Sequence, residues 1–367
     1  MQTKFESGDD LIATRSALRL LSVLLCGFVL LCVLSVFLPH SRYIRYQQFD
    51  QSDFFKLRWV YERIHFDPTP IDVAIIGSSR IESALSAPEL AASLSQKLGR
   101  PIHVVNLGVP WEGPNLHFVV AKELLLSHPE TKLILLSVVE RENNSHPAFR
   151  YVSDASDILL APLWINHSYA EDAAFLPYRQ MSYFVQSLVP SWFGESSRFR
   201  GDYFGTDFDT TESFYIPTGK LVDRYHVASP QELAVDVAGR EAGLFDANGY
   251  WSPPSSWQRL NNPIEPVYVA RIAALAKLHR TTLVFMHLPL YASRPGQYGH
   301  AAYEQIGPLL DAQKFSDNPH FYADGGHFNR YGTEKISPWL ASEIVPYLDS
   351  LHSTDVSNRS SSIRRGP

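Results

Sequence analysis

The chain has 367 residues, of which 45% are hydrophobic and 19% charged, a balance that suits a globular protein with one large core or two smaller ones. Its formal net charge of −6 and pI near 6.2 come with no basic stripe, which argues against nucleic acid as a partner. Both cysteines, Cys26 and Cys32, fall inside one apolar run, so the remainder can form neither a disulfide nor a cysteine metal site.

That run, residues 20–38 (LLSVLLCGFVLLCVLSVFL), carries no charge and would span about 28 Å as a helix, close to the thickness of a bilayer's hydrocarbon core. It is longer than the apolar core of a cleaved signal peptide, and no small-residue cleavage site follows it, so it reads as a retained single-span anchor. Residues 1–19 then form a cytoplasmic segment. Lys4, Arg15 and Arg19 on one side are balanced by Arg42, Arg45, Lys56 and Arg58 on the other. The flanking charges therefore do not set the orientation, and a large C-terminal domain can be translocated regardless of them.

Residues 39–70 read as a juxtamembrane connector, amphipathic over 54–64 and stopped at Asp67-Pro68-Thr69-Pro70. An α/β rhythm follows. Strands are predicted at 73–76, 102–107 and 132–139, with helices over 87–98 and 115–126 between them. From about 140 to 263 the rhythm breaks into an aromatic-rich stretch, with Trp164, Trp192, Phe208 and Trp251, that reads as an inserted subdomain or lid. It resumes with a helix over 267–279, a strand over 282–287, a helix over 302–313, a short strand at 320–322 and a closing helix over 336–348. Residues 349–367, rich in Ser and Arg, read as a disordered tail. Short apolar runs alternating with helices predict a three-layer α/β/α domain with a parallel sheet, spanning residues 71–348.

Two segments carry chemistry. Gly77-Ser78-Ser79 follows the first apolar strand, and Asp324-Gly325-Gly326-His327 lies near the end of the domain. A serine hydroxyl stays protonated at neutral pH, so it needs a base; a histidine supplies one, and an aspartate fixes the imidazole's tautomer. Sites in parallel sheets gather at the carboxyl ends of strands, and Gly108, ending the second strand, would bring a backbone N–H to the same edge. Arg80 is a candidate contact for an acidic polymer or phosphate, with a solvated helix-start arginine as the alternative. Trp111 is a candidate surface for stacking on a sugar ring, with ordinary core packing as the alternative. No His-Glu-x-x-His spacing or phosphate-binding Gly-rich loop occurs, so neither a metal nor a nucleotide or other cofactor is expected.

Gly77-Ser78-Ser79, Gly108 and Asp324-x-x-His327, continuing as Phe328-Asn329-Arg330-Tyr331-Gly332, resemble the first, second and fifth sequence blocks of SGNH (GDSL-like) hydrolases. The resemblance covers residues 72–139 and 265–348. It implies an SGNH-like, flavodoxin-like sheet, with Ser79 as nucleophile, His327 as base, Asp324 as orienting acid, and Ser79 and Gly108 amides in the oxyanion hole. The Gly-Ser-Ser variant resembles the membrane-anchored branch that acts on cell-envelope polymers, such as alginate O-acetylation and lipoteichoic-acid D-alanylation proteins. The family's third block, Gly-x-Asn-Asp, has no counterpart at the usual offset after the third strand, where Asn143 or Asn144, reached through a shifted loop, is the candidate to supply a side-chain donor. The resemblance implies an esterase or O-acyltransferase on a cell-envelope glycan or other acylated polymer, single-pass in the cytoplasmic membrane with a periplasmic catalytic domain, and with a membrane-bound acyltransferase as partner. The alternative is a catalytically inactive subunit that binds polymer or serves as scaffold in the same assembly.

Overall fold

The computed structural model describes residues 8–138, 145–163, 165–199, 208–241, 264–294 and 301–363. Strands β1 (Val73–Ile76), β2 (Val104–Asn106) and β3 (Leu133–Ser137) join β6 (Thr282–His287) and β7 (Leu309–Asp311) in one parallel sheet ordered β2-β1-β3-β6-β7. Between them in sequence, β4 (Phe214–Tyr215) and β5 (Leu221–Val222) form a separate antiparallel hairpin. The order within the large sheet is the 2-1-3-4-5 of flavodoxin-like doubly wound folds. In such sheets the connections from the first strand and to the third leave on opposite sides, and the crevice this opens is where ligands bind.

The strands are apolar on both faces because both faces are covered. Val73, Ile75, Leu133, Leu135, Val284 and Met286 pack with α4 (Ser79–Ala84), α5 (Ala87–Leu98) and the C-terminal helix α13 (Arg330–Ile363). Ala74, Ile76, Ile134, Leu136 and Phe285 face the opposite layer, made of α3 (Lys56–His65), α6 (Pro114–Ser127) and α11 (Glu265–His279). α5 illustrates the local logic. Ser86 caps the Glu89 amide, Pro88 sits in the first turn, Leu90 and Leu94 point inward one turn apart, and Gly99 ends the helix at φ 64°.

One helix among the described residues, over Arg15–Ser35 within α1 (Gly8–Ser35), is long and apolar enough to cross a membrane, with mean hydropathy 2.6 and every residue from Arg15 to Leu31 exposed. The segment that follows packs into the domain. α2 (Arg42–Gln47) and α3 bury Tyr43, Ile44, Tyr46, Leu57, Trp59, Val60 and Ile64 in the domain. Arg45 donates through Nη1 to Asp154 Oδ1 at 2.9 Å and to the carbonyls of Val152 and Ser153. These buried aromatics join the segment after α1 to the core beside the sheet.

The described parts of the stretch between β3 and α11 also pack onto the sheet layers. They comprise α7 (Phe149–Val152), α8 (Ala155–Leu159), α9 (Tyr169–Leu188), the β4–β5 hairpin and α10 (Pro230–Glu241). Three local expectations differ. The helix expected over 302–313 is α12 (Ala301–Glu304) followed by strand β7, because Gly307-Pro308 cannot continue a helix and the backbone of Gly307 runs against the Leu283 carbonyl. The strand expected at 320–322 is a 3-10 turn, Pro319–Phe321, whose first amide, His320, is capped by the Asn318 side chain. α13 runs through the expected disordered tail to Ile363, since a helix nucleated by packed residues propagates at little cost.

Candidate active site

β1 ends at Ile76, and the chain turns over Gly77 and Ser78 into α4, so Ser79 is the first residue of that helix. Gly77 is required by close approach, since a Cβ there would lie 2.6 Å from both Ile81 Cγ1 and Ser137 Cβ. Ser78 is the N-cap, its hydroxyl accepting from the Arg80 amide at 3.4 Å. Capping occupies Ser78 and leaves the Ser79 hydroxyl to the crevice. The Ser79 amide is among the first-turn N–H groups that have no acceptor within the helix.

The second segment is a tight loop closed by the antiparallel bridge between Tyr322 and Phe328 and by the Ala323 N–H donating to the His327 carbonyl at 2.8 Å. Asp324 Oδ1 accepts the backbone amides of Gly326 at 2.7 Å and His327 at 2.8 Å, so the carboxylate builds the turn that presents the imidazole. α10 clamps the loop from outside. Asp236 Oδ2 accepts the Gly325 amide at 2.7 Å, and Arg240 donates to the Gly325 and Tyr291 carbonyls. Behind it Asn329 is fully buried, donating to the carbonyls of His226 and His320 and accepting from the Gly332 amide.

The two segments meet. Ser79 Oγ lies 2.8 Å from His327 Nε2, while His327 Nδ1 lies 2.9 Å from Asp324 Oδ2 and 3.0 Å from Oδ1. A carboxylate on Nδ1 keeps the proton on that nitrogen and leaves the Nε2 lone pair for the serine hydroxyl. Burial pushes the Asp324 carboxyl up. The imidazole N–H and charge, with the Gly326 and His327 amides, outweigh burial and hold the group at about 2, below the usual 3.8. Asp324 is thus an anion throughout the neutral range. The arrangement can deprotonate Ser79 as it attacks and return that proton to a leaving group.

The other expected site residues divide. The Gly108 amide donates to Asn106 Oδ1 at 2.9 Å, so it can serve an oxyanion only by giving up that bond. Asn143 and Asn144 lie outside the described residues. Arg80 is not the solvated helix-start arginine of the alternative reading, because its side chain is buried. It is 4% exposed, donates to the Leu288 carbonyl and lies 3.8 Å from Glu112 Oε1. Trp111 does line the cleft beside Ser79 and His327, 43% exposed and held at φ 70°. A left-handed backbone on a bulky residue costs on the order of 1–3 kcal/mol and tends to persist at ligand-facing positions. His287 is buried and hydrogen-bonded to Asp311 at 2.8 Å, a structural partnership away from Ser79.

The cleft has a volume of about 630 Å³, and its lining includes groups that sequence reasoning missed. Glu82, one turn after Ser79 on α4, lines it and is 3% exposed. Lys56 Nζ, fully buried at the start of α3, lies 3.9 Å from Glu82 Oε1. Burial pushes the Lys56 amine down to about 8 against the opposing pull of Glu82. From the hairpin and its exit come Lys220 and Arg224. Arg224 donates through Nε to the Thr210 carbonyl at 2.8 Å, and its guanidinium lies over the Phe214 ring. Burial lowers its pKa, opposed by the charges of Glu82, Asp324 and Asp209. The three-residue spacing from Ser79 could have revealed Glu82; nothing local marks Lys56 or Arg224. Among the described residues no cluster of His, Cys, Asp and Glu could hold a metal ion. The chain matches no protein-family model and no curated protein significantly.

Proposed function

We propose that this chain is a membrane-anchored serine acyl-transfer enzyme, an O-acyltransferase or esterase acting on a cell-envelope polysaccharide through Ser79, His327 and Asp324. One observation carries the reading: the 2.8 Å contact from Ser79 Oγ to His327 Nε2, with Asp324 on Nδ1, opens onto a cleft of about 630 Å³. Ser79 Oγ attacks the ester carbonyl as His327 takes its proton, and the Ser79 amide donates to the developing oxyanion. His327 then protonates the departing alcohol, leaving an acyl-serine. Water or a sugar hydroxyl, deprotonated by the same imidazole, attacks the acyl carbon and releases Ser79. The exposed Trp111 ring at the rim suits stacking on a sugar face. An SGNH-like domain of this kind, anchored by α1 in the cytoplasmic membrane and facing the periplasm, would draw acyl groups from a membrane-bound acyltransferase partner.

A second reading is a polymer-binding or scaffold subunit without activity. The commitment of the Gly108 amide to Asn106 favours it, because it leaves one backbone donor fewer for an oxyanion. Loss of one such donor costs about 100–1000-fold in rate, which slows the chemistry without abolishing it. The test is labelling of the full chain by a fluorophosphonate, comparing wild type with Ser79→Ala and His327→Ala. The catalytic reading expects labelling that both substitutions abolish. Equal labelling of wild type and Ser79→Ala rules out Ser79 as the nucleophile, and no labelling of a folded wild type favours the scaffold. A periplasm-only reporter fused after Leu348 should be active; activity of a cytoplasm-only reporter there overturns the envelope reading.

A further inference from the structure

α9 is built inside out. Its buried face carries Asp172, Arg179, Gln180 and Gln186 alongside Leu176 and Tyr183. Its exposed positions are Ala170, Glu171, Ala174, Tyr178, Met181, Val185 and Leu188. Apart from Glu171, which pairs with Arg150, they are apolar or aromatic and step by three or four residues along one stripe. A helix on a water-facing surface shows the opposite arrangement. The stripe is pronounced, with Tyr178 62%, Met181 47%, Val185 46% and Leu188 65% exposed, and it continues through the 3-10 turn to Trp192 at 82% and Phe193 at 50%. From Ala170 to Leu188 it runs about 27 Å.

What lies beside the stripe indicates what covers it. α9 packs against the C-terminal end of α1, the helix able to cross a membrane. Gln180 Nε2 donates to the Val36 carbonyl at 2.7 Å, and the Ser41 amide donates to Ser187 Oγ at 2.9 Å. The last turns of α1 expose Leu31 and Leu34, and the turn that follows exposes Phe37, so neighbouring apolar surfaces flank α9. The polar residues of α9 face the domain, where Arg179 Nη1 donates to the Arg150 and Ser153 carbonyls. Polar groups inward and apolar groups outward is the arrangement a lipid environment selects. Tyr178 and Trp192 are aromatics of the type that settles at headgroup level.

We infer that the exposed stripe of α9, with Trp192 and Phe193, is covered by bilayer lipid, so that α1 and α9 together seat the domain on the membrane. The cleft then stands at a set height and orientation over the bilayer instead of moving on a tether. The inference rests on α1 crossing the membrane, and the experiment separates the two. In the full chain with Cys26 and Cys32 replaced by Ser, single cysteines are introduced by Met181→Cys, Val185→Cys, Val29→Cys in α1 and Leu278→Cys on exposed α11. Each is labelled with bimane in phosphatidylcholine–phosphatidylglycerol nanodiscs and quenched by a nitroxide lipid or by a water-soluble nickel chelate. Positions 181, 185 and 29 should show a lipid-to-water quenching ratio several-fold above position 278. Water quenching at 181 and 185 with lipid quenching at 29 overturns the inference and spares the anchor. Water quenching at 29 overturns both. Shielding from both quenchers at 181, with disulfide cross-linking between copies, overturns lipid in favour of a second copy of this chain.

Discussion

Replacing Asp324 by asparagine keeps the shape of the turn and removes its charge. In the native loop Oδ1 accepts the Gly326 and His327 amides at 2.7 and 2.8 Å, and an asparagine oxygen can go on accepting both. The carboxamide NH2 then faces His327 Nδ1, which lies 2.9 Å from the present Oδ2. Two donors cannot share that contact, so the imidazole moves its proton to Nε2, the nitrogen 2.8 Å from Ser79 Oγ. Ser79 is left without a base. A wrong tautomer of this kind costs about 10⁴ in the well-studied serine protease case, or roughly 5.5 kcal/mol of barrier. The fluorophosphonate labelling rate of Asp324→Asn should therefore fall by roughly 10³–10⁴, with Tm lowered only slightly because the amide acceptor survives. Acidity supplies a second readout. The native carboxyl is held at about 2 against an ordinary 3.8, so its stabilisation is complete above the ordinary value and drains as pH falls toward the native one. The gap in stability between wild type and Asp324→Asn should stay level above pH 3.8 and narrow below it. A labelling rate within about threefold of wild type, with Tm retained, would refute the role of Asp324 as orienter.

Lys56→Met tests the buried ammonium. Because the native amine is held at about 8 against 10.5, the unfolded chain binds more protons between those values, and wild-type stability rises with pH across that window. Below it the charged amine costs the fold about 3 kcal/mol, at 1.36 kcal/mol per pH unit. The Tm of wild type should climb relative to Lys56→Met from pH 8 upward, and parallel curves would contradict this. Asn106→Ala removes the donor to the Ile81 and Leu85 carbonyls and the acceptor of the Gly108 amide. Denaturant unfolding should show a loss of about 2–4 kcal/mol, as expected when buried polar groups are stranded. Gly325→Ala puts a Cβ 2.6 Å from Asp236 Cβ and pushes α10 off the histidine loop. Labelling should slow by roughly tenfold through lost orientation, and adding Asp236→Gly, which removes the clashing Cβ, should restore part of it. No recovery in the double variant would mean that α10 does not hold the loop.

The layered α/β domain and the Ser79, Asp324 and His327 set were legible because each rests on a local pattern. Val73–Ile76, Leu133–Ser137 and Thr282–His287 are short apolar runs, and a strand buried on both faces needs no partner's identity to be recognised. Gly307-Pro308 was legible in principle as a helix breaker, but good helix formers around it outweighed the punctuation. The reach of α13 was hidden because its last turns follow from a packed nucleus upstream, not from their own composition.

The sequence by itself determined four of the five strands of the large sheet, which residues have nucleophilic and basic chemistry, and that residues 20–38 form an apolar span. Only the tertiary structure decided what those residues touch. It brought Ser79 within 2.8 Å of His327, tied the Gly108 amide to Asn106, and buried Arg80. It also folded residues 39–70 into the domain and turned the apolar stripe of α9 outward beside α1. The reason is physical. Propensity and periodicity act over one or two helical turns, whereas hydrogen-bond partners and burial depend on how segments pack, often far apart in sequence as for Ser79 and His327.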